Sequence, residues 1–300
     1  MIKKGDLYYS SEEFKKKAWL KNSKIYQEAA KDPIKFWEKL AKELFWFRPW
    51  KKAFLQKPPY FQWFVDGKIN ITSNIFENNP LGFENIKNKP ALIWEPEPVE
   101  EKPLILTYGE LFSAVCRFAN ALKKLGVKKG DRVGIYLPMI PEVVISMLSC
   151  ARIGAVHTVV FSAFSPHALK IRLQDTEAKV LITADGYFRR GKIINLKENA
   201  DEGAKETKVE KIIVVKRAGF KEQCSSHAEP CDSEARGEKK TKFSSTASAK
   251  ASANEIPWVK DRDVWYEDLI KKQKDFCEPE IMDSEDLLFL IATSGSTGRP

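Results

Sequence analysis

From Leu104 onward the apolar residues fall into two alternating patterns, one at helical spacing and one of short continuous runs. Leu111, Val115, Phe118, Leu122 and Leu125 mark one face of a helix, opened by the capping box Thr107-Tyr108-Gly109-Glu110 and ended by Gly126. The runs Val133–Leu137, Val156–Phe161, Val180–Thr183 and Ile212–Val215 read as strands. Between them, Pro141–Ile153, Pro166–Thr176 and Leu196–Lys205 read as helices. Strands separated by helices of this length need crossover connections, so the sheet is mostly parallel with both faces covered. The pattern predicts a doubly wound α/β fold. A last apolar stretch, Leu287–Ala292, suits a buried strand.

The region before this alternation, to about Glu77, reads as helices followed by an extended stretch, rich in Trp and Lys. Ser10 with Glu13 forms a capping box, and Asp32-Pro33 supplies an N-cap with proline at the first helical position. Phe36, Trp37, Leu40, Leu44 and Phe45 then recur at helical spacing as one broad packing face. The expected division is a helical region over 1–80 and an α/β domain over 81–300. Within the latter, 219–255 changes to Ser, Ala, Lys and Glu with almost no large apolar residue. It is expected to be disordered, because it offers too little burial to offset its ordering entropy. Cys224, His227 and Cys231 have metal-ligand spacing there, but no fourth ligand is nearby and no metal site is expected.

Composition adds mainly exclusions. The 43% hydrophobic and 30% charged content is that of an ordinary soluble protein. Met1–Asp6 has no apolar core behind its lysines, so no secretory signal is expected. Arg152, Gly154 and His157 interrupt the apolar stretch Val143–Phe161, so no membrane span is expected either. Five scattered cysteines read as reduced thiols, and the expected location is cytoplasmic. The net charge of +9 is spread without aromatic interleaving, which argues against nucleic acid and suits polyphosphate substrates.

Two segments carry candidate chemistry. In Thr293-Ser294-Gly295-Ser296-Thr297-Gly298, two glycines free the backbone to close around an anion while hydroxyls and N–H groups supply donors. No Gly-Lys-Ser/Thr follows at Walker spacing, and the bland alternative is a flexible Ser/Gly linker. Arg189, Arg190, Gly191 and Lys192 set three cations at a turn beyond a strand's carboxyl end, where open α/β sheets place ligands. The alternative is a solvated basic turn. No Ser-His-Asp or Cys-His set is evident.

The order T-S-G-S-T-G-[KR]-P at Thr293–Pro300 resembles the signature of the adenylate-forming superfamily, as do Gly126–Val133, Leu137–Glu142 and Ala151–His157. Asp32-Pro33, Phe36-Trp37, Leu40–Leu44, Pro49-Trp50, Trp63–Val65 and Gly67–Asn70 resemble the N-terminal region of acetyl-CoA synthetases and near relatives such as propionyl-CoA synthetases. Against those relatives, 219–255 looks like an insertion. The chain departs from their pattern at Glu77-Asn78-Asn79, where Asp-Arg-His is common, at Phe161-Ser162-Ala163-Phe164 in place of F-G-G-F, and at Ala292 in place of Tyr.

The resemblance implies an incomplete adenylate-forming N-terminal domain from an AMP-forming acetate–CoA ligase. Such an enzyme joins acetate to CoA through acetyl-AMP, with ATP, CoA and Mg2+ as cofactors. It assigns Thr293, Ser294, Gly295, Ser296, Thr297 and Gly298 to ATP phosphates, and Arg189, Arg190, Gly191 and Lys192 to the CoA nucleotide. Magnesium ligands, the acyl pocket and the catalytic lysine are expected beyond Pro300, and no catalytic residue within the chain, which is expected to be inactive alone. The alternatives are a ligase for propionate or another short acid and a noncatalytic module that binds CoA or a partner. The expected partners are the small-molecule substrates and, for a split gene, a separate chain carrying the missing half.

Overall fold

The computed structural model describes residues 2–223 and 255–292. It divides into two compact units, one ending at Lys68 and joined by Asp283–Glu285, the other running from Ile69 to Met282 and resuming at Asp286. The division falls after Lys68, ahead of the boundary near residue 80 read from the sequence. Two-residue strands, β5 (Lys68–Ile69) and β17 (Met282–Asp283), lie where the chain passes from one unit to the other.

The first unit opens on an antiparallel hairpin that the helical reading did not include, β1 (Ile2–Lys4) with β2 (Leu7–Tyr9). Helices α1 (Glu12–Lys17), α2 (Lys24–Lys31) and α3 (Pro33–Ala41) follow. Ser11, one residue later than expected, caps α1 by accepting the Phe14 N–H at 3.2 Å. Asp32 caps α3 as expected, accepting the Lys35 N–H at 2.9 Å ahead of Pro33. The stripe read from Phe36 to Phe45 is only partly a packing face. The helix stops at Ala41, its one buried residue, and Trp37 is 52% exposed. Aromatic packing lies instead beyond the helix, around the hairpin β3 (Lys52–Lys57) and β4 (Tyr60–Val65). There Trp46, Trp50 and Phe64 contact one another at 4.9–5.5 Å between ring centroids.

The second unit begins with α4 (Ile71–Ile75) and α5 (Phe83–Ile86), then an antiparallel hairpin, β6 (Pro90–Trp94) with β7 (Leu104–Thr107). Helix α6 (Tyr108–Lys124) starts at the full Thr107/Glu110 capping box. The alternation then runs β8 (Arg132–Tyr136), α7 (Pro141–Arg152), β9 (Val156–Val159), α8 (Pro166–Thr176) and β10 (Val180–Ala184). After a hairpin, β11 (Gly186–Arg189) with β12 (Lys192–Asn195), come α9 (Leu196–Ala204) and β13 (Lys211–Val215). Beyond it lie β14 (Lys221–Gln223), β15 (Glu255–Pro257), β16 (Asp263–Trp265), α10 (Tyr266–Ile270) and β18 (Phe289–Leu290).

Six strands form the central sheet in the order β16-β13-β10-β8-β9-β18, every neighbouring pair parallel. All five residues of β10 are buried, and successive strand side chains point to opposite faces, so both faces are covered. Helix α6 packs with α7 and α10, and α8 packs with α9. This is the α/β architecture expected from the pattern.

Two expectations need correction. The stretch 287–292 is not a buried strand: among the described residues only Phe289 and Leu290 pair, with β9, and Leu287, Phe289 and Ile291 are 63%, 50% and 72% exposed. Strand β18 has a single neighbour in the sheet, so one side of it is an edge among the described residues. The segment 219–255 also has ordered ends, because β14 pairs in parallel with β15 and buries Ile256. Residues 224–254, with Cys224, His227 and Cys231, lie outside the described residues, so the disorder and metal readings there have no counterpart. Cys116, Cys150 and Cys277 are buried free thiols, with burial pushing Cys116 up to about 11 and Cys150 up to about 12. Among the described residues no helix is long and apolar enough to cross a membrane.

Candidate functional site

Because the six strands run parallel, the segments that follow them emerge at one edge of the sheet, the edge where open α/β folds bind ligands. After β10 the chain makes the β11–β12 hairpin, and its register pairs Arg189 with Lys192 across a two-residue turn. Arg190 (φ 50°) and Gly191 (φ 72°) both occupy the left-handed region, as a tight primed hairpin turn requires. Glycine is at home there, whereas Arg190 holds a conformation that side chains normally avoid. All four predicted residues are exposed at this tip. The Arg190 N–H donates to the Glu97 carboxylate. No ion pair engages the side chains of Arg189, Arg190 or Lys192 among the described residues. Two guanidinium forks, an ammonium and a turn backbone form a donor set suited to phosphate oxygens.

The base of the hairpin is held by residues to which the sequence reading gave no role. Asp185 is completely buried, and its carboxylate accepts five backbone N–H groups. Oδ1 takes those of Gly186, Arg217 and Ala218 at 2.7–2.9 Å, and Oδ2 takes those of Gly219 and Phe220 at 2.9 and 3.0 Å. Its backbone carbonyl accepts from Leu196 at 3.2 Å, just past the end of β12. A second brace is Arg217, whose guanidinium lies 4.7 Å from the Phe188 ring and 5.1 Å from that of Trp94 while pairing with Glu101 at 2.9 Å. The Asp-Gly pair directly after a strand was the sequence signal for Asp185; nothing local marks Arg217.

Neighbouring strand ends shape the same edge. After β9, Phe161 and Phe164 meet edge-on at 5.8 Å, and the Tyr136 hydroxyl donates to the Phe164 carbonyl at 2.7 Å. Burial pushes that phenol up to about 12, so it remains a donor. Within Phe161–Phe164, Ser162 is buried and Ala163 exposed. Burial, reinforced by Glu267, raises the Glu142 carboxyl at the start of α7. Among the described residues no group of three or more His, Cys, Asp or Glu side chains is placed to hold a metal. Thr293, Ser294, Gly295, Ser296, Thr297 and Gly298 lie outside the described residues, and β18 is the strand that leads toward them.

Comparison with known proteins adds what this geometry leaves open. The profile described as "AMP-binding enzyme" matches residues 83–300, and that described as "Acetyl-coenzyme A synthetase N-terminus" matches residues 22–75. An acetyl-coenzyme A synthetase of Rubrobacter xylanophilus is 43% identical over 295 residues, covering 98% of this chain and 40% of that protein. One of Methanothrix thermoacetophila is 40% identical, over 98% of this chain and 39% of its own length. The chain thus spans about two fifths of the length of the curated relatives it matches. Among solved structures, the acetoacetyl-CoA synthetase from Streptomyces lividans matches with a TM-score of 0.70 at 24% identity, over 91% of this chain and 36% of that one. At that identity the likeness concerns the fold alone.

Proposed function

We propose, since the chain belongs to the AMP-binding enzyme family, that it contributes the amino-terminal share of an AMP-forming acetate–CoA ligase acting in the cytoplasm. Acetate is favoured over other short acids because the relatives at about 40% identity are acetyl-coenzyme A synthetases. In this reading, acetate attacks the α-phosphorus of ATP, giving acetyl-AMP and pyrophosphate, and the CoA thiolate then displaces AMP. The part of the relatives' length not spanned here supplies the acyl pocket and magnesium ligands. Residues 293–298 hold ATP phosphates, and the Arg189–Lys192 tip holds phosphates of the CoA nucleotide.

The observation that carries the proposal is the cationic hairpin tip: exposed side chains without an ion pair among the described residues, at the carboxyl edge of the sheet. Mg2+ would offset phosphate charge in the first half-reaction. The tip would neutralise the CoA nucleotide and fix its position in the second. Arg189→Ala in the full-length enzyme tests this, since losing one charge-assisted contact costs about 1.5–3 kcal/mol, or roughly tenfold to a hundredfold in KM for CoA. Acetate-dependent pyrophosphate exchange should stay near wild type. Equal damage to exchange and CoA use would remove the CoA assignment, and absence of acid-dependent exchange in the unmodified enzyme would remove the ligase assignment.

A further inference from the structure

We infer that Asp185 is a positioning residue for CoA use, a buried carboxylate clasp that sets the direction of the cationic hairpin without touching the ligand. The inference rests on the reading that the Arg189–Lys192 tip binds CoA. Asp185 contacts every segment meeting at the hairpin base. Its carboxylate holds Gly186, where β11 begins, and the loop 217–220. Its carbonyl accepts from Leu196, where β12 has ended, and its N–H donates to Val215 at the end of β13.

No cation pairs with this carboxylate among the described residues, and the side chain is fully buried. Such a group is costly to bury unless its oxygens are filled by donors, and here backbone N–H groups alone fill them. The arrangement therefore depends on an acceptor-only side chain. Arg189 lies four residue steps beyond Asp185, about 13 Å of extended chain. A tilt of about 10° at the base would thus move the tip by about 2 Å, and displacements on that scale cost roughly a hundredfold where reactants must be aligned.

Asparagine keeps the shape of Asp185 but turns an NH2 toward backbone donors, leaving two or three N–H groups unpaired. In the full-length enzyme, Asp185→Asn should raise KM for CoA about tenfold or more while acetate-dependent pyrophosphate exchange stays within about twofold of wild type. It should also speed amide hydrogen exchange across residues 186–195, which Arg189→Ala should leave unchanged. Should Asp185→Asn fail to fold, Gly219→Ala makes the same test. Gly219 sits at φ +80° with open space around it, so a methyl there disturbs the Oδ2 donors through backbone conformation alone.

A raised KM for CoA in both the Asp185 and Arg189 variants, with faster hairpin exchange only in the former, supports the inference. If Arg189→Ala raises KM but the Asp185 and Gly219 variants leave KM and hairpin exchange untouched, Asp185 has no positioning role and the CoA reading stands. If hairpin exchange speeds up while no variant alters KM for CoA, the CoA reading fails and the positioning role with it. Equal loss of both half-reactions in the Asp185 variant would make it a general scaffold residue and overturn the inference.

Discussion

Glu77→Gln is the sharpest test of how the second unit is held together. Arg152 is completely buried at the end of α7, and its guanidinium pairs with Glu77 through both terminal nitrogens. It also donates to the Cys277 carbonyl at 2.5 Å and to Thr72 Oγ1 at 3.3 Å, and it lies 5.0 Å from the Phe112 ring. Removing one partner of a buried pair typically costs about 3–5 kcal/mol, because the other charge is left uncompensated. Glu77 is 26% exposed and glutamine keeps one acceptor oxygen, so the loss falls at or below the bottom of that range, about 2–3 kcal/mol. For a unit of this size that corresponds to roughly 4–12 °C in Tm.

The assay is denaturant and thermal unfolding of the full-length protein, with hydrogen exchange at α4 and α7 to localise the loss, since a multidomain protein need not unfold in two states. Arg152→Met should lose stability too, and the double variant less than the sum, with a coupling of about 1–3 kcal/mol. Glu77→Asp keeps the charge on a shorter side chain and should recover part of the stability. A Glu77→Gln protein within about 0.5 kcal/mol of wild type, the range of ordinary surface changes, would refute the reasoning.

Two further outcomes follow from single residues. Thr107→Ala removes one half of the α6 capping box, in which the hydroxyl accepts the Glu110 N–H at 3.2 Å, and should cost about 0.5–2 kcal/mol by urea unfolding; no change would mean that the cap contributes nothing. His157 is 4% exposed, and burial lowers its imidazole from 6.5 to about 4, so below pH 6.5 the unfolded chain takes up a proton that the folded one refuses. Stability should therefore fall as pH drops from 6.5 toward about 4, by up to about 1.4 kcal/mol per pH unit, and His157→Gln should flatten that slope; an unchanged slope would contradict the burial assignment.

Much of the second unit was legible because its signals are local. The span Pro166–Thr176 is the observed α8, Thr107 and Glu110 form both halves of their capping box, and the continuous apolar runs became the buried strands β8, β10 and β13. Misreadings arose where a neighbour distant in sequence decides the outcome. Leu287–Ala292 has the apolarity of a core strand, yet its burial depends on how many strands flank it, and among the described residues it has one. The stripe Phe36–Phe45 has helical spacing, but its helix ends at Ala41 and Leu44 and Phe45 are exposed. The cationic turn could be picked out as a cluster, whereas Asp185 gained its role from N–H groups more than thirty residues ahead.

Lys192 and Lys197 show why a basic residue cannot be sorted by sequence alone. Lys192 is exposed at the hairpin tip, while Lys197, one helix start later, is completely buried. The difference is compensation. Lys197 Nζ donates to the Asp201 carboxylate at 2.7 and 2.8 Å, to Asp263 at 2.8 Å and to the Pro257 carbonyl at 3.1 Å, filling the hydrogen-bonding capacity of an ammonium. Arg262 binds the same two aspartates, so two cations face two anions and the cluster projects little field. Burial pushes the Asp263 carboxyl up, yet hydrogen bonds from Arg262 and Lys197 outweigh it and hold the group below its ordinary range. At Arg189, Arg190 and Lys192 no carboxylate forms an ion pair with the side chains among the described residues; Glu97 meets the backbone of the turn and offsets only part of the charge. Three cations against the one carboxylate of Glu97 leave the hairpin tip with an excess of positive charge, which is what the proposed polyanion site requires, whereas the neutralised cluster around Lys197 serves the fold.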